Sequence, residues 1–247
     1  ELKRLNLILL MLFLFSCSTE RPTGKTEAEV LFKEANSLIE DGRFLLATEK
    51  LNSLRSQYPY SYYATHAELL QADILFKQES YEEAASAYIL FKDFHPKYKK
   101  MSYVIWKIAE SFFQQVPDTH DRDLTLAHES IKYYQELLRL YRKTKFSKDA
   151  LERIKFCKGM IRDKEQYIAD FYYKTDVFDA ARYRYLAMLK RFRSPVLRDH
   201  SMIRVVLSSA NLGEAERCKA YYKKYLSKIS ASSKAELVDA FGSCTNN

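Results

Sequence analysis

A chain of 247 residues with 47% hydrophobic and 14% aromatic content is too apolar for wholesale disorder. Its formal charge of +8 suits acidic partners or an anionic membrane surface, yet Lys and Arg are interspersed with Asp and Glu, so no dedicated nucleic-acid stripe is present and no nucleic-acid partner is expected. Only five glycines and five prolines occur, which excludes the many turns of a sandwich or barrel and points to helices joined by short connections.

At the N-terminus, Lys3 and Arg4 precede an apolar run, Leu5 to Phe15, broken only by Asn6. The run is about eleven residues long, where crossing a bilayer takes about 20, so it reads as a secretory signal. It ends Leu14-Phe15-Ser16-Cys17, which resembles the lipobox of bacterial lipoproteins: an apolar residue three before the cysteine and a small one directly before it. Residues 1–16 are therefore expected as a lipoprotein signal peptide and Cys17 as the lipidation site. Its diacylglycerol and N-acyl chain would hold the protein to a membrane by burying methylenes at about 0.8 kcal/mol each. No other cofactor is expected. Ser18 stands where such signals use Asp for inner-membrane retention, so sorting resembles that to the outer membrane, with the chain on its periplasmic face. Residues 17–26 read as a lipidated, flexible tether.

Beyond the tether, the segments ending in Pro59 and Pro96 align at an offset of 37 residues. Ala35 falls on Ala72, Leu38 on Leu75, Ala47 on Ala84, Leu51 on Tyr88 and Leu54 on Phe91. These resemble the signature positions of a tetratricopeptide repeat (TPR). Two antiparallel helices need a small side chain where they cross, and apolar residues at helical spacing build the inward stripe around it. Pro59 and Pro96 end the second helix of each pair, and Asp41-Gly42-Arg43 and Gln78-Glu79-Ser80 mark the turns within them. Ala109, Phe112, Ala127, Ile131 and Tyr134 keep the spacing once Gln114 to Asp123 is set aside as an inserted surface loop. A long helix from Ser147 to Tyr167, through Leu151, Ile154, Cys157 and Ile161, leads into a fourth unit with Ala169, Tyr172, Ala181, Tyr185 and Met188. A fifth, from about Arg198 to Ile229 and turning at Asn211-Leu212-Gly213, lacks the small crossing residue and is expected as the solvent-facing cap. Each hairpin alone exposes an apolar face and must stack on its neighbour. The expected fold is all-α, a right-handed solenoid of about five TPR-like hairpins, with repeats 1–3 over residues 27–145, repeats 4–5 over 146–230 and a C-terminal tail over 231–247.

Catalysis finds no foothold: no G-x-S-x-G, H-E-x-x-H or Walker-type sequence occurs, and the glycines are scattered singly. His120, Asp121, Asp123 and His128 gather around the inserted loop. A solvated turn with carboxylates near the start of the next helix explains them more simply than a metal, and none is expected. Cys157, Cys218 and Cys244 lack C-x-x-C or zinc spacing. Their odd number leaves at least one free thiol in an oxidising periplasm, and a Cys218–Cys244 bridge is one pairing open to the others. Nineteen tyrosines and fifteen phenylalanines are the unusual feature. Tyr88, Phe91, Tyr134 and Tyr185 fall on inward positions. Tyr58, Tyr60, Tyr62 and Tyr63 surround Pro59, where they either wall a groove for an extended peptide or staple the first repeat to the second.

Gln57-Tyr58-Pro59-Tyr60 with Tyr62-Tyr63, then Phe91-Lys92-Asp93-Phe94-His95-Pro96 with Tyr103-Val104, Asp121-Arg122-Asp123 before Ala127, and Ala169-Asp170-Phe171-Tyr172 together resemble the BamD family, also called ComL or YfiO. The resemblance runs from about Leu31 to Pro195. It implies a non-catalytic lipoprotein of the β-barrel assembly machinery at the outer membrane. In that family the N-terminal half receives unfolded outer-membrane proteins, which places Tyr58, Tyr60, Tyr62 and Tyr63 on the substrate-peptide segment. The C-terminal half docks on the POTRA region of the barrel insertase, and Arg184 falls on a partner-docking arginine, with a local ion pair as its other reading; further assembly lipoproteins are candidate partners. Arg142 and Arg193 replace prolines of the family pattern, and the basic run Lys97-Tyr98-Lys99-Lys100 is foreign to it. The alternative function is a periplasmic TPR scaffold lipoprotein acting with a cell-wall enzyme or another envelope complex.

Overall fold

A computed structural model describes residues 21–244, and every regular element among them is helical. Two compact units divide between Lys99 and Lys100. The expected boundary at 145/146 separates halves by partner, a distinction that compactness does not address.

The first unit consists of α1 (Glu27–Glu40), α2 (Phe44–Gln57), α3 (Tyr62–Lys77) and α4 (Tyr81–Phe94), each packed on the next in the chain. Thr26 and Ser61 open α1 and α3, their hydroxyls accepting the N–H of Glu29 at 3.2 Å and of Ala64 at 3.1 Å. The hairpin turns pivot on Gly42 (φ 73°) and Glu79 (φ 61°) in the left-handed region. Directly after each pivot, Arg43 N–H reaches the Leu38 carbonyl at 2.7 Å and Ser80 N–H the Leu75 carbonyl at 3.0 Å, which satisfies a helix-end carbonyl.

The second unit consists of α5 (Met101–Phe113), α6 (Thr125–Leu140), α7 (Ser147–Lys174), α8 (Phe178–Arg191), α9 (Pro195–Asn211), α10 (Ala215–Leu226) and α11 (Lys234–Gly242). Residues 114–124 form the irregular connection between α5 and α6, where the inserted loop was expected. The same turn recurs at Asp176 (φ 61°) and Gly213 (φ 71°), where Val177 N–H meets the Tyr172 carbonyl at 2.9 Å and Glu214 N–H meets that of Ser209 at 3.0 Å. Pro195 opens α9 at its first turn, where a missing donor does no harm.

Within each unit the hairpins interlock as the repeat demands. Ala35 and Ala47, Ala72 and Ala84, Ala109 and Ala127, and Ala169 and Ala181 are all fully buried. The residue after three of these alanines is acidic and accepts a hydrogen bond from a buried tyrosine of the partner helix. Tyr88 donates to Asp73 at 2.5 Å, Tyr185 to Asp170 at 2.5 Å, and Tyr134 to Glu110. Tyr88 and Tyr185 lie one turn past their helix alanine, whereas Tyr134 lies two turns past its own. In all three hairpins the acid bridges the two helices at their crossing.

The C-terminal end differs from expectation. The fifth hairpin, α9 with α10, is not the outer cap: α11, from the segment expected as a tail, packs on both helices and buries Leu237 and Ala240. A Cys218–Cys244 disulfide ties this layer to α10, while Cys157 stays free and buried, its thiol pushed up to about 11 by burial. Covered in this way, α9 needs small residues on several sides, and serines supply them. Ser201, Ser208 and Ser209 are buried, each hydroxyl donating to the carbonyl four residues back at 2.7 to 3.0 Å. Asp199, also buried, accepts the backbone N–H of Ser230 at 3.3 Å and its hydroxyl, which fixes the chain as it turns toward α11.

Candidate functional site

The tyrosines around Pro59 separate into two kinds. Tyr58 and Tyr63 are partly buried against the first-unit core, so these two have a structural duty. Tyr60, in the connection from α2 to α3, is 101% exposed, and Tyr62, at the start of α3, is 73% exposed. Ser61 sits between them as the helix cap, its hydroxyl accepting the Ala64 N–H.

Tyr62 and Tyr63 belong to a continuous chain of rings. Phe32 of α1 lies 5.4 Å from Tyr63 between centroids, Tyr63 lies 5.5 Å from Tyr62, and Tyr62 lies 4.2 Å from His66, one turn along α3. His66 then lies 5.7 Å from Tyr98, Tyr98 is 5.1 Å from Phe91, and Phe91 is 4.6 Å from His95. His95 Nε2 ends the chain 3.1 Å from a Glu68 carboxylate oxygen. Edge-to-face and tilted contacts of this kind suit aromatic quadrupoles. Burial pushes the Tyr98 hydroxyl above its ordinary pKa. Beside the chain, a cleft of about 590 Å³ is lined by Phe32, Tyr63 and Pro22 together with Glu29, Lys33, Asn36, Ser37 and Glu40.

Sequence reasoning found Tyr62 and Tyr63 but missed Phe32, His66 and Tyr98. His66 carried a signal, four residues after Tyr62 on the same helix face. Tyr98 lay inside the basic run that departs from the family pattern, and Phe32 was one more apolar residue of an amphipathic helix.

In the second unit, Arg184 on α8 has a side chain 40% exposed, with Nη1 3.7 Å from a Glu165 oxygen. Glu165 has a nearer partner in Arg191, at 2.9 Å. The local pair anticipated for Arg184 therefore exists in a loose form, and the guanidinium keeps an open side. His120 packs its ring 5.7 Å from Tyr167, and Asp123 accepts the Thr125 hydroxyl at 3.0 Å at the entry to α6. Among the described residues, no His, Cys, Asp and Glu side chains group in a way that could hold a metal ion. No described helix is long and apolar enough to cross a membrane. Cys17 and the signal segment before it lie outside the described residues.

Residues 25–226 match the family described as YfiO, outer membrane lipoprotein. The chain is similar to outer membrane protein assembly factor BamD of Rickettsia prowazekii, at 25% identity over 218 residues covering 87% of this chain and 86% of that one. It is also similar to BamD of Neisseria meningitidis serogroup A, at 23% identity over 221 residues covering 83% of each. Among solved structures, the TPR2AB domain of yeast Sti1 in its pHSP90 complex aligns with a TM-score of 0.46 at 15% identity, covering 90% of this chain and 100% of that one.

Proposed function

We propose, from the premise that this chain belongs to the YfiO family of outer membrane lipoproteins, that it is a non-catalytic outer membrane protein assembly factor, held at the membrane through lipidated Cys17. In this reading the aromatic face of the first unit receives an extended segment of an unfolded outer-membrane protein. The second unit docks on the POTRA region of the barrel insertase, with Arg184 meeting an acidic residue of that partner. One observation carries the proposal: Tyr60 and Tyr62 hold their rings out to solvent while Tyr62 is braced from behind by Tyr63 and His66. A braced, exposed tyrosine gives up little entropy on binding and offers apolar area with a hydroxyl, which suits strands that alternate aromatic and polar residues.

The test for the first unit is fluorescence anisotropy with a labelled peptide of alternating apolar and polar residues ending in Phe. Tyr60→Ser with Tyr62→Ser should weaken binding by about tenfold, or about 1.4 kcal/mol, while the thermal midpoint stays put. Unaltered affinity would reject the aromatic face. For the second unit, pull-down from detergent-solubilised outer membrane with Cys17 intact should recover a POTRA-bearing barrel protein, and Arg184→Glu should reduce its yield with helicity preserved by circular dichroism. Recovery of a cell-wall enzyme in its place would favour the envelope-scaffold alternative.

A further inference from the structure

The second unit contains a cleft of about 670 Å³, formed by α6, α7 and the connection that leaves α8, which neither the aromatic face nor Arg184 uses. Its cations are Lys155, Lys158, Arg162, Arg191 and Arg193, and its lining includes neither Asp nor Glu. Two of the five are partly neutralised from outside the cleft, Arg162 by Asp163 at 2.7 Å and Arg191 by Glu165 at 2.9 Å. Lys155, Lys158 and Arg193 meet no carboxylate within ion-pair distance among the described residues. Between these cations lie Ile131, Leu151 and Ile154; the two isoleucines are nearly buried, and Leu151 is 58% exposed.

Gly159 adds an independent observation. It lies inside α7 and lines the cleft, and a methyl group added there would have nothing nearer than Arg162 Nη2 at 4.0 Å. Glycine is the poorest helix residue after proline, and no neighbour here demands it. With glycine there, the helix carries no side chain at the cleft wall beside Lys155 and Lys158.

We propose that this cleft docks an acidic peptide segment carrying apolar side chains, its carboxylates meeting Lys155, Lys158 and Arg193 and an apolar side chain lying on Leu151, Ile131 and Ile154. The positive rim selects for negative charge, and the concave apolar base selects for a chain that can enter it. A bilayer surface matches the charge but is too flat to reach the isoleucines. The assignment goes beyond the assembly-factor reading and does not rest on it, because every lining residue lies between His128 and Ser194.

The test uses the full-length protein and two labelled probes of equal net charge, a short peptide alternating Glu with Leu and Phe, and polyglutamate. The alternating peptide should bind about tenfold more tightly than polyglutamate. Lys155→Glu, Lys158→Glu and Arg193→Glu together should lower its affinity by at least about tenfold. Gly159→Leu, which fills the cleft without altering charge, should do the same, and it tests the site even if the triple variant folds poorly. Tyr60→Ser with Tyr62→Ser should leave this binding intact, which separates its failure from that of the first-unit reading. Equal binding of the two probes, full affinity in the Gly159→Leu protein, or a preference for phosphatidylglycerol vesicles that excess peptide does not displace would each overturn the proposal.

Discussion

Tyr185 illustrates how much a single residue does here. Its ring fills the crossing of α7 and α8, and its hydroxyl is one of the donors that satisfy the partly buried Asp170 carboxylate. Tyr185→Phe keeps the ring and removes the donor, so stability should fall by about 1–2 kcal/mol in urea titration with little change in m-value. Glu79 bears the opposite kind of strain, since its φ of 61° is a conformation that glycine adopts freely at the equivalent Gly42. Glu79→Gly should therefore stabilise the protein by about 0.5–1 kcal/mol, read as a rise in the urea midpoint. At Arg184 the expectation is asymmetric, because Glu165 retains Arg191 when Arg184 is lost. Arg184→Ala should leave the unfolding midpoint within the scatter of surface substitutions while still removing the open guanidinium.

Helices α7, α8 and α9 converge on Asp170, which takes the Tyr185 hydroxyl and lies 2.8 Å from His200 Nε2 of α9. Burial works against ionisation of Asp170, but the His200 ring and the Tyr185 hydroxyl outweigh it and hold the carboxyl below its ordinary value of 3.8. A lowered folded-state pKa contributes stability that is complete above the unfolded value and is lost as pH falls through the folded one. Wild type should thus lose part of its stability below about pH 4, and Asp170→Asn should flatten that part of the pH profile of the denaturation midpoint. Glu110 behaves oppositely: burial is its largest influence and raises its pKa above 4.5, so its ionisation opposes folding as pH rises. At the C-terminal end, α11 is short and rests on Leu237, Ala240 and the disulfide. Closing a loop between Cys218 and Cys244, 26 residues apart, contributes about 3 kcal/mol through the unfolded state. Cys244→Ser should accordingly speed amide exchange in α10, α11 and the face of α9 they cover, while exchange in α5 and α6 stays slow.

For the molecule as a whole, two compact units carry two surfaces of different chemistry, a braced aromatic face in the first and a basic, apolar-based cleft in the second. Membership of the YfiO family of outer membrane lipoproteins gives both surfaces a setting at the outer membrane. The helical hairpins, their buried alanines and the turns at Gly42, Glu79 and Gly213 were legible in the sequence, because a small crossing residue, a 3.6-residue stripe and a helix-ending turn are each encoded within one or two turns of chain. Such local rules cannot tell Tyr58 from Tyr60, since both are tyrosines flanking one proline. Only packing against the first-unit core decides which is sheltered. For the same reason the ring chain from Phe32 to His95, the tyrosine–carboxylate bridges, the cleft cations drawn from residues 155 to 193, and α11 as the true cap emerge only when distant segments meet. Sequence alone determined that these helices must pair and stack to hide their apolar faces. Tertiary structure decided which side chains remained outside to meet a partner, because exposure depends on every neighbour a residue has in space.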